Sequence, residues 1–392
     1  MAHLQSTLLV LPVLGSLAIA GIAGAADYVI IDLSTLAGFD DTNGPGSQAY
    51  GISDDGVICG LSVDASPQRD LHPILWDQSL VDLGILGSDV HGIAFAINNS
   101  GVAAGVTLTL GDTTPQAVRW VGVSGAGLGT WAARDVNEPG VIVGEKPATE
   151  SGAWGHAVRW TAGTLLDLGT LGGLHSSAFA INDAGRIVGH SLLANNTTSR
   201  AFLWQGGAMS DLGTLGGVRS QAFDISNSGF VVGVADGADA RPHAFRYTLA
   251  ANGSVTQHTD LGELGSGSSI AYAVNEAGDA VGSSDWRAFL WRDGVMTDLN
   301  TAIGPDSGWL LTHATAINES GQIAGRGTHF GNPRAFLLTP RVPADLNGDG
   351  IVDGADLGLL LSAWGTAGPE ADLDGSGVVD GADLGLVLSA WS

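Results

Sequence analysis

Short oxygen-bearing side chains recur on one spacing near the end of the chain. Asp345, Asn347 and Asp349 occupy alternate positions, Gly350 follows, and Ile351, Asp353 and Asp356 complete twelve residues. Twenty-seven residues on, Asp372, Asp374, Ser376, Gly377, Val378, Asp380 and Asp383 repeat the pattern. Side-chain oxygens at loop positions 1, 3 and 5, a glycine for the sharp turn at 6, a backbone carbonyl at 7 (Ile351, Val378) and carboxylates at 9 and 12 suit a hard cation. Ca²⁺ takes about six to eight such oxygens, so two Ca²⁺ ions are expected. Ser376 replaces a carboxylate, which predicts a weaker second site. An acidic surface tail is the plain alternative. Against it, residues 352–364 and 379–391 differ at one position only, Leu360 against Val387.

The elements that must carry these loops are legible next to them. Each loop runs into an apolar helical stripe, Leu357, Leu360, Leu361 and Trp364 in one copy and Leu384, Val387, Leu388 and Trp391 in the other. A 48-residue module (345–392) has a small core, and bound calcium would supply stability that the core lacks. Residues 339–344, with two prolines, read as a linker. The module resembles a type I dockerin: paired calcium loops with Asp at position 12, each followed by one helix. That resemblance implies docking to a cohesin-like domain on an extracellular scaffold, often in polysaccharide-degrading complexes. Loop positions 10 and 11, which often select the partner and are often Ser-Thr, are Gly354-Ala355 and Gly381-Ala382 here.

Ahead of this module the chain is repetitive. An apolar residue, then Asn or Ser, then two glycines four apart, begins at Ile52, Ile97, Val136, Ile181, Ile225, Val274 and Ile317, spaced 39 to 49 residues. A second landmark ends in an aromatic, Trp76, Trp120, Trp160, Trp204, Tyr247 and Trp291, with Leu338 in the last copy. A third is Asp-Leu before a glycine-rich loop, at Asp82, Asp167, Asp211, Asp260 and Asp298, with a degenerate copy near Leu128. Alternating short strands of this kind cannot bury their own apolar faces and must stack on copies of themselves. The third landmark is missing after Leu338, yet a matching piece, Tyr28 to Asp32-Leu33, sits at the start. That offset locks a ring by placing both chain ends in one sheet. The expected fold is all-β, a seven-bladed β-propeller over 27–338, followed by the small helical module. An open β-solenoid or two sandwiches are the alternatives.

The recurring Asp of Asp-Leu-Gly reads as a turn cap, and so does the Asn or Ser of the first landmark. Before each Ala-Phe-like pair stand His72, Gln116, His156, Arg200, His243, Arg287 and Arg334, which read as a solvated strand edge or as an anion-binding ring. His91, His175, His190, His258, His313 and His329 show no metal spacing. No nucleophile elbow, His-Glu-x-x-His or phosphate loop occurs. Glu145, Glu150, Glu263 and Asp285 stand outside the repeat pattern and are the acids to consider for glycosidic chemistry, on rarity alone. Cys59, the single cysteine, lies where other copies carry Val or Ala, so it reads as a buried apolar residue.

The repeats resemble the HAF repeat of secreted bacterial proteins, found verbatim at His243-Ala244-Phe245 and covering about 28–338. The resemblance implies extracellular placement and no common activity. Trp131 in the third copy and the lost aromatic in the last predict irregular blades there. Residues 8–22 are apolar and followed by Ala23-Gly24-Ala25-Ala26, which predicts a signal peptide over 1–26; a retained anchor is the alternative. No later apolar run is long enough to span a bilayer. The net charge of −25, with one lysine and no Lys/Arg cluster, argues against a nucleic-acid partner. The expectation is a secreted, non-catalytic binding or scaffold propeller, with a cohesin-like partner and an extracellular polysaccharide or cell-surface ligand; a polysaccharide-degrading hydrolase or lyase is the alternative.

Overall fold

Each repeat folds into one four-stranded antiparallel sheet, and the two glycines of the first landmark show why. Gly185 closes the turn after Asn182 with φ +75°, a conformation that side chains resist. Gly189 is required for a different reason: a Cβ there would lie 2.0 Å from the Ser177 carbonyl oxygen, where the first strand bulges between Ala178 and Ala180. The same close approach recurs in every copy, from Gly60 against Gln48 to Gly325 against His313.

The structure is a computed structural model that describes residues 27–36, 46–63, 70–109, 114–147, 155–347 and 351–391. The signal-peptide expectation for 1–26 lies outside the described residues, as do Glu150, Asp349 and Gly350. Two units are present, Tyr28–Pro340 and a second from Arg341 onward.

The first unit is a seven-bladed β-propeller built from seven four-stranded sheets. Blades 1 to 7 begin with the inner strands Ser47–Ile52, His91–Ile97, Ala132–Val136, Gly172–Ile181, Gly216–Ile225, Ser269–Val274 and Trp309–Ile317. Blade 7 takes its outer strand from the start of the chain: Tyr28–Asp32 pairs antiparallel with Asn332–Pro340, Tyr28 opposite Pro340 and Asp32 opposite Phe336. Each of the seven gaps between neighbouring blades holds its own apolar core, including the closing gap, where Leu33, Ala49, Ile58, Ala324 and Leu337 meet. Burying a Leu-sized side chain contributes roughly 1.5–3 kcal/mol, so Leu33, Ile58 and Leu337 stabilise the closure of the ring.

The irregular blades expected at the third and seventh repeats do not occur. Trp131 is 1 % exposed and fills the gap between blades 2 and 3; Leu338, fully buried, fills the gap between blades 6 and 7. Either side chain supplies apolar volume to its gap, and a gap accepts volume from more than one position. Cys59 is fully buried between blades 1 and 2, and burial pushes its thiol up to about 12.

The second unit carries two helices, α1 (Gly354–Ser362) and α2 (Gly381–Ser389). Asp353 and Asp380 cap them, each paired in a capping box with Asp356 or Asp383 three residues on. The core comprises Ala344, Val352, Leu360, Ala371, Leu373, Val379 and Val387. The helical stripe read from sequence is buried in part only. Leu360 and Val387 are fully buried, whereas Leu361, Trp364, Leu388 and Trp391 are exposed. Helices this short, in a core this small, can cover one row of side chains and not a whole face.

Candidate functional site

Three features organise the propeller, one at each end of the strands and one between. At the turn end of the inner strands, a closed ring of hydrogen bonds runs through all blades. The backbone N–H of Asp54 donates to the Asn99 side chain, Asn99 to Glu138, Glu138 to Asp183, Asp183 to Asn227, Asn227 to Glu276, Glu276 to Glu319, and Glu319 back to Asp54, over 2.5 to 3.2 Å. The landmark Asn beside it has two roles. Its Oδ1 caps its own turn, as Asn182 does for Arg186 N–H at 3.0 Å. Its Nδ2 donates to the next blade's backbone: Asn98 to Asn137 O, Asn137 to Asn182 O, Asn182 to Ser226 O, Asn275 to Asn318 O and Asn318 to Ser53 O. Ser53 and Ser226 keep the cap through Oγ. The sequence pattern shows the cap; the link across the gap depends on blades that are neighbours only after folding.

At the opposite end, the basic residues before the Ala-Phe-like pairs each face a carboxylate, and all but the buried Arg334 stand on a solvent-accessible edge. His72 meets Asp82 at 2.8 Å, His156 meets Asp167 at 2.9 Å, His243 meets Asp260 at 2.8 Å and Arg287 meets Asp298 at 3.1 Å. The same carboxylates cap the following turn through their other oxygen: Asp82 accepts Gly84 N–H and Asp167 accepts Gly169 N–H. Antiparallel pairing of the third and fourth strands brings the partners together across ten or more residues. In blade 3 a cleft of about 390 Å³ beside this pair is lined by Lys146, Pro147, His156, Val158, Leu165 and Asp167.

Between these ends lies a belt of half-buried side chains from the inner-strand bulges: Tyr50, Phe95, Arg134, Phe179, Phe223, Tyr272 and Thr315. Neighbours touch around the axis, Tyr50 with Phe95 at 5.5 Å, the Arg134 guanidinium over Phe95 at 4.8 Å, Phe179 with Phe223 at 5.4 Å and Phe223 with Tyr272 at 5.9 Å. Asp135 and Asp224 follow the belt in blades 3 and 5, where other blades carry Ala or Gly. Burial raises their carboxyls to about 6 and about 7, against the opposing pull of backbone N–H groups from Ile181 and Val274. Above the belt, His175 sits 3.7 Å from Glu145, and its ring lies 5.2 Å from that of His190, which stacks on Phe179. Burial, then the neighbouring His175, holds His190 down at about 4, so it is neutral at physiological pH. Sequence reasoning found no pattern in these histidines because they come from different repeat positions.

Among the described residues, Glu145 is the one acid singled out for rarity that joins this cluster. Glu263, in the loop before blade 6, lies 3.3 Å from Arg241, and Asp285, in the turn between the second and third strands of blade 6, accepts from Ser268 N–H. Neither has a hydrogen bond or ion pair to Glu145.

In the second unit, one carboxylate oxygen from each of Asp372, Asp374 and Asp383 lies within 4.8 Å of the others. Asp383 is fully buried and accepts N–H bonds from Leu373, Asp374 and Asp380, which hold it beneath the loop. Asp356 does the same for Leu346, Asn347 and Asp353, and those bonds pull its carboxyl below the usual range. Ile351 and Val378 expose their side chains.

No family model matches the chain, and no curated protein matches it. Solved structures do. A gluconolactonase from Xanthomonas campestris is 11% identical, covering 80% of this chain and 90% of that one, with a TM-score of 0.37. TolB from Acinetobacter baumannii is 14% identical over 75% and 79%, at 0.39. The β-propeller domain of the trilobed protease from Pyrococcus furiosus is 10% identical over 65% and 98%, at 0.38. Likenesses this distant carry nothing about activity.

Proposed function

We propose that the chain is a secreted, non-catalytic binding or scaffold propeller, attached to an extracellular assembly by a C-terminal dockerin that holds two Ca²⁺ and docks a cohesin-like domain. Asp345, Asn347, Asp349, the Ile351 carbonyl, Asp353 and Asp356 would hold one ion. Asp372, Asp374, Ser376, the Val378 carbonyl, Asp380 and Asp383 would hold the other. The observation that carries the docking reading is a duplicated apolar surface. Leu359, Leu361 and Trp364 are 43, 51 and 45 % exposed, and their counterparts Leu386, Leu388 and Trp391 are 40, 54 and 46 % exposed. Matching exposures at each pair mean that both helices present the same side chains, and exposed apolar groups of this kind mark a partner surface. Secretion rests on the leader-like residues 1–26. The test is calorimetric titration of the purified chain with Ca²⁺, then with a panel of cohesins in Ca²⁺ and in chelator. Two bound ions and calcium-dependent capture are expected. Capture that persists in chelator, or no calcium binding, refutes the proposal.

The second reading, a polysaccharide-degrading enzyme carried by the same module, is favoured by one observation. Glu145 and His190, at the same repeat position in blades 3 and 4, converge with His175 from the inner strand of blade 4. Release of reducing or unsaturated ends from a polysaccharide panel, abolished by Glu145→Gln, would establish it.

A further inference from the structure

In a chain with 40 acidic and 15 basic residues, an arginine finds a carboxylate easily. Arg219, Arg241, Arg287 and Arg292 each hold one within 3.3 Å. Two arginines in the axial channel do not. Arg134 makes no hydrogen bond or ion pair among the described residues, its Nε is buried without a partner, and Glu145 reaches it through charge alone. Its guanidinium lies on the face of Phe95. Arg326, on the second strand of blade 7, donates to the Gln48 side-chain oxygen at 2.8 Å and to no carboxylate. The Tyr50 hydroxyl donates to that same oxygen at 2.9 Å. The charge of each arginine also acts on Tyr50, against the burial that raises its hydroxyl. A desolvated guanidinium with unmade hydrogen bonds is costly, and it is the group best shaped to take a carboxylate in a two-pronged grip.

The walls narrow the choice of anion. Half-buried Phe95, Phe179, Phe223 and Tyr272 offer aromatic faces, which suit a ligand with an apolar face of its own. Inorganic phosphate or sulfate has none. A pyranose ring does, and its hydroxyls match Gln48 and the tyrosines. The carboxyl-rich turn ring, with Asp135 and Asp224, lies toward the other end of the inner strands and disfavours a long polyanion. We infer that the channel binds a glycan carrying an isolated uronate, its ring against the aromatic belt and its carboxylate on Arg134, with the charge of Arg326 adding from the far side of Tyr50. The inference rests on the propeller being a binding module and is independent of the calcium loops.

The repeats supply substitutions that the fold already tolerates. Thr315 occupies the position of Arg134 in blade 7, and Ser283 that of Arg326 in blade 6. The test is calorimetry on the full chain in Ca²⁺ with four probes: xylotriose bearing one glucuronate, xylotetraose, methyl glucuronide and sodium sulfate. The acidic tetrasaccharide should bind, with xylotetraose and sulfate each about tenfold weaker or worse. Arg134→Thr and Arg326→Ser should each weaken the acidic probe by about tenfold while leaving the thermal midpoint in place, and Arg134→Lys should keep part of the affinity. Equal binding of acidic and neutral tetrasaccharides, or unchanged affinity in both variants, overturns the uronate assignment and leaves a binding propeller. Binding of sulfate as tight as that of the acidic probe means an adventitious ion only and overturns it too. Failure of every glycan to bind overturns both this inference and the glycan-binding reading of the propeller.

Discussion

Replacing Asp224 with alanine should change the stability of the propeller by an amount that depends on pH. Four of the other blades carry Ala at this position, Ala96, Ala180, Ala273 and Ala316, so alanine fits the backbone. Burial raises the Asp224 carboxyl from 3.8 to about 7, with the charge of Asp135 adding to it. A folded-state pKa above the unfolded one means that the group favours folding while protonated. That contribution is full below about pH 4 and is lost as pH rises to about 7. Three pKa units correspond to about 4 kcal/mol. Asp224 keeps part of its surface in water, so about 2 kcal/mol is the better figure. The substitution also removes two accepted hydrogen bonds, from Ile225 N–H and Val274 N–H, both at 2.8 Å, worth roughly 1 kcal/mol each. Asp224→Ala should therefore destabilise by about 2 kcal/mol at pH 4, by about 1 kcal/mol at pH 5 and by close to nothing at pH 8.5. His190 and His313, both held near 4 by burial, lose stability in the opposite direction as pH falls. For that reason the readout is the difference between the two proteins, from urea unfolding of the propeller at pH 4, 5, 7 and 8.5. Parallel curves for wild type and variant would refute the reasoning.

The gaps in the Asn ring predict a matched pair of effects. Ser226→Asn should add a bond to the Asn275 carbonyl and raise the unfolding free energy by about 1 kcal/mol, and Asn182→Ser should lower it by about as much, both read from urea midpoints. Cys59 should resist thiol reagents at pH 8 in the native protein and react at once in denaturant, because burial pushes its pKa to about 12; reaction of the native protein at the denatured rate would contradict the buried position. In the second unit, the hydrogen bonds that lower the Asp356 carboxyl should be lost as pH falls below about 4, taking stability with them. Helical circular dichroism of Asp356→Asn across pH 3 to 6 should be flatter than that of wild type. The Ca²⁺ titration should resolve a tighter first loop and a weaker second one; equal affinities would overturn the role given to Ser376.

Much of the architecture was legible because it is local and repeated. Glycines four apart, the Asn cap and the alternating strands each follow from backbone geometry within one repeat. Seven copies with an offset strand at the start leave few ways to close a sheet. The module's helices and caps follow from Asp353 and Asp380 before apolar runs. What the sequence by itself could not determine lies between repeats. The acceptor for each turn N–H in the Asp54–Glu319 ring belongs to the next blade. His72 finds Asp82, and His175 finds Glu145 and His190, because strand pairing and blade stacking set distances that spacing does not encode. The unpartnered state of Arg134 is likewise a property of the folded channel. In the chain Arg134 sits beside Asp135, yet the bulge directs the guanidinium onto Phe95 and the carboxylate onto the N–H of Ile181 in the next blade. Local propensity determined the elements; the closed ring alone decided which polar groups meet and which are left for a ligand.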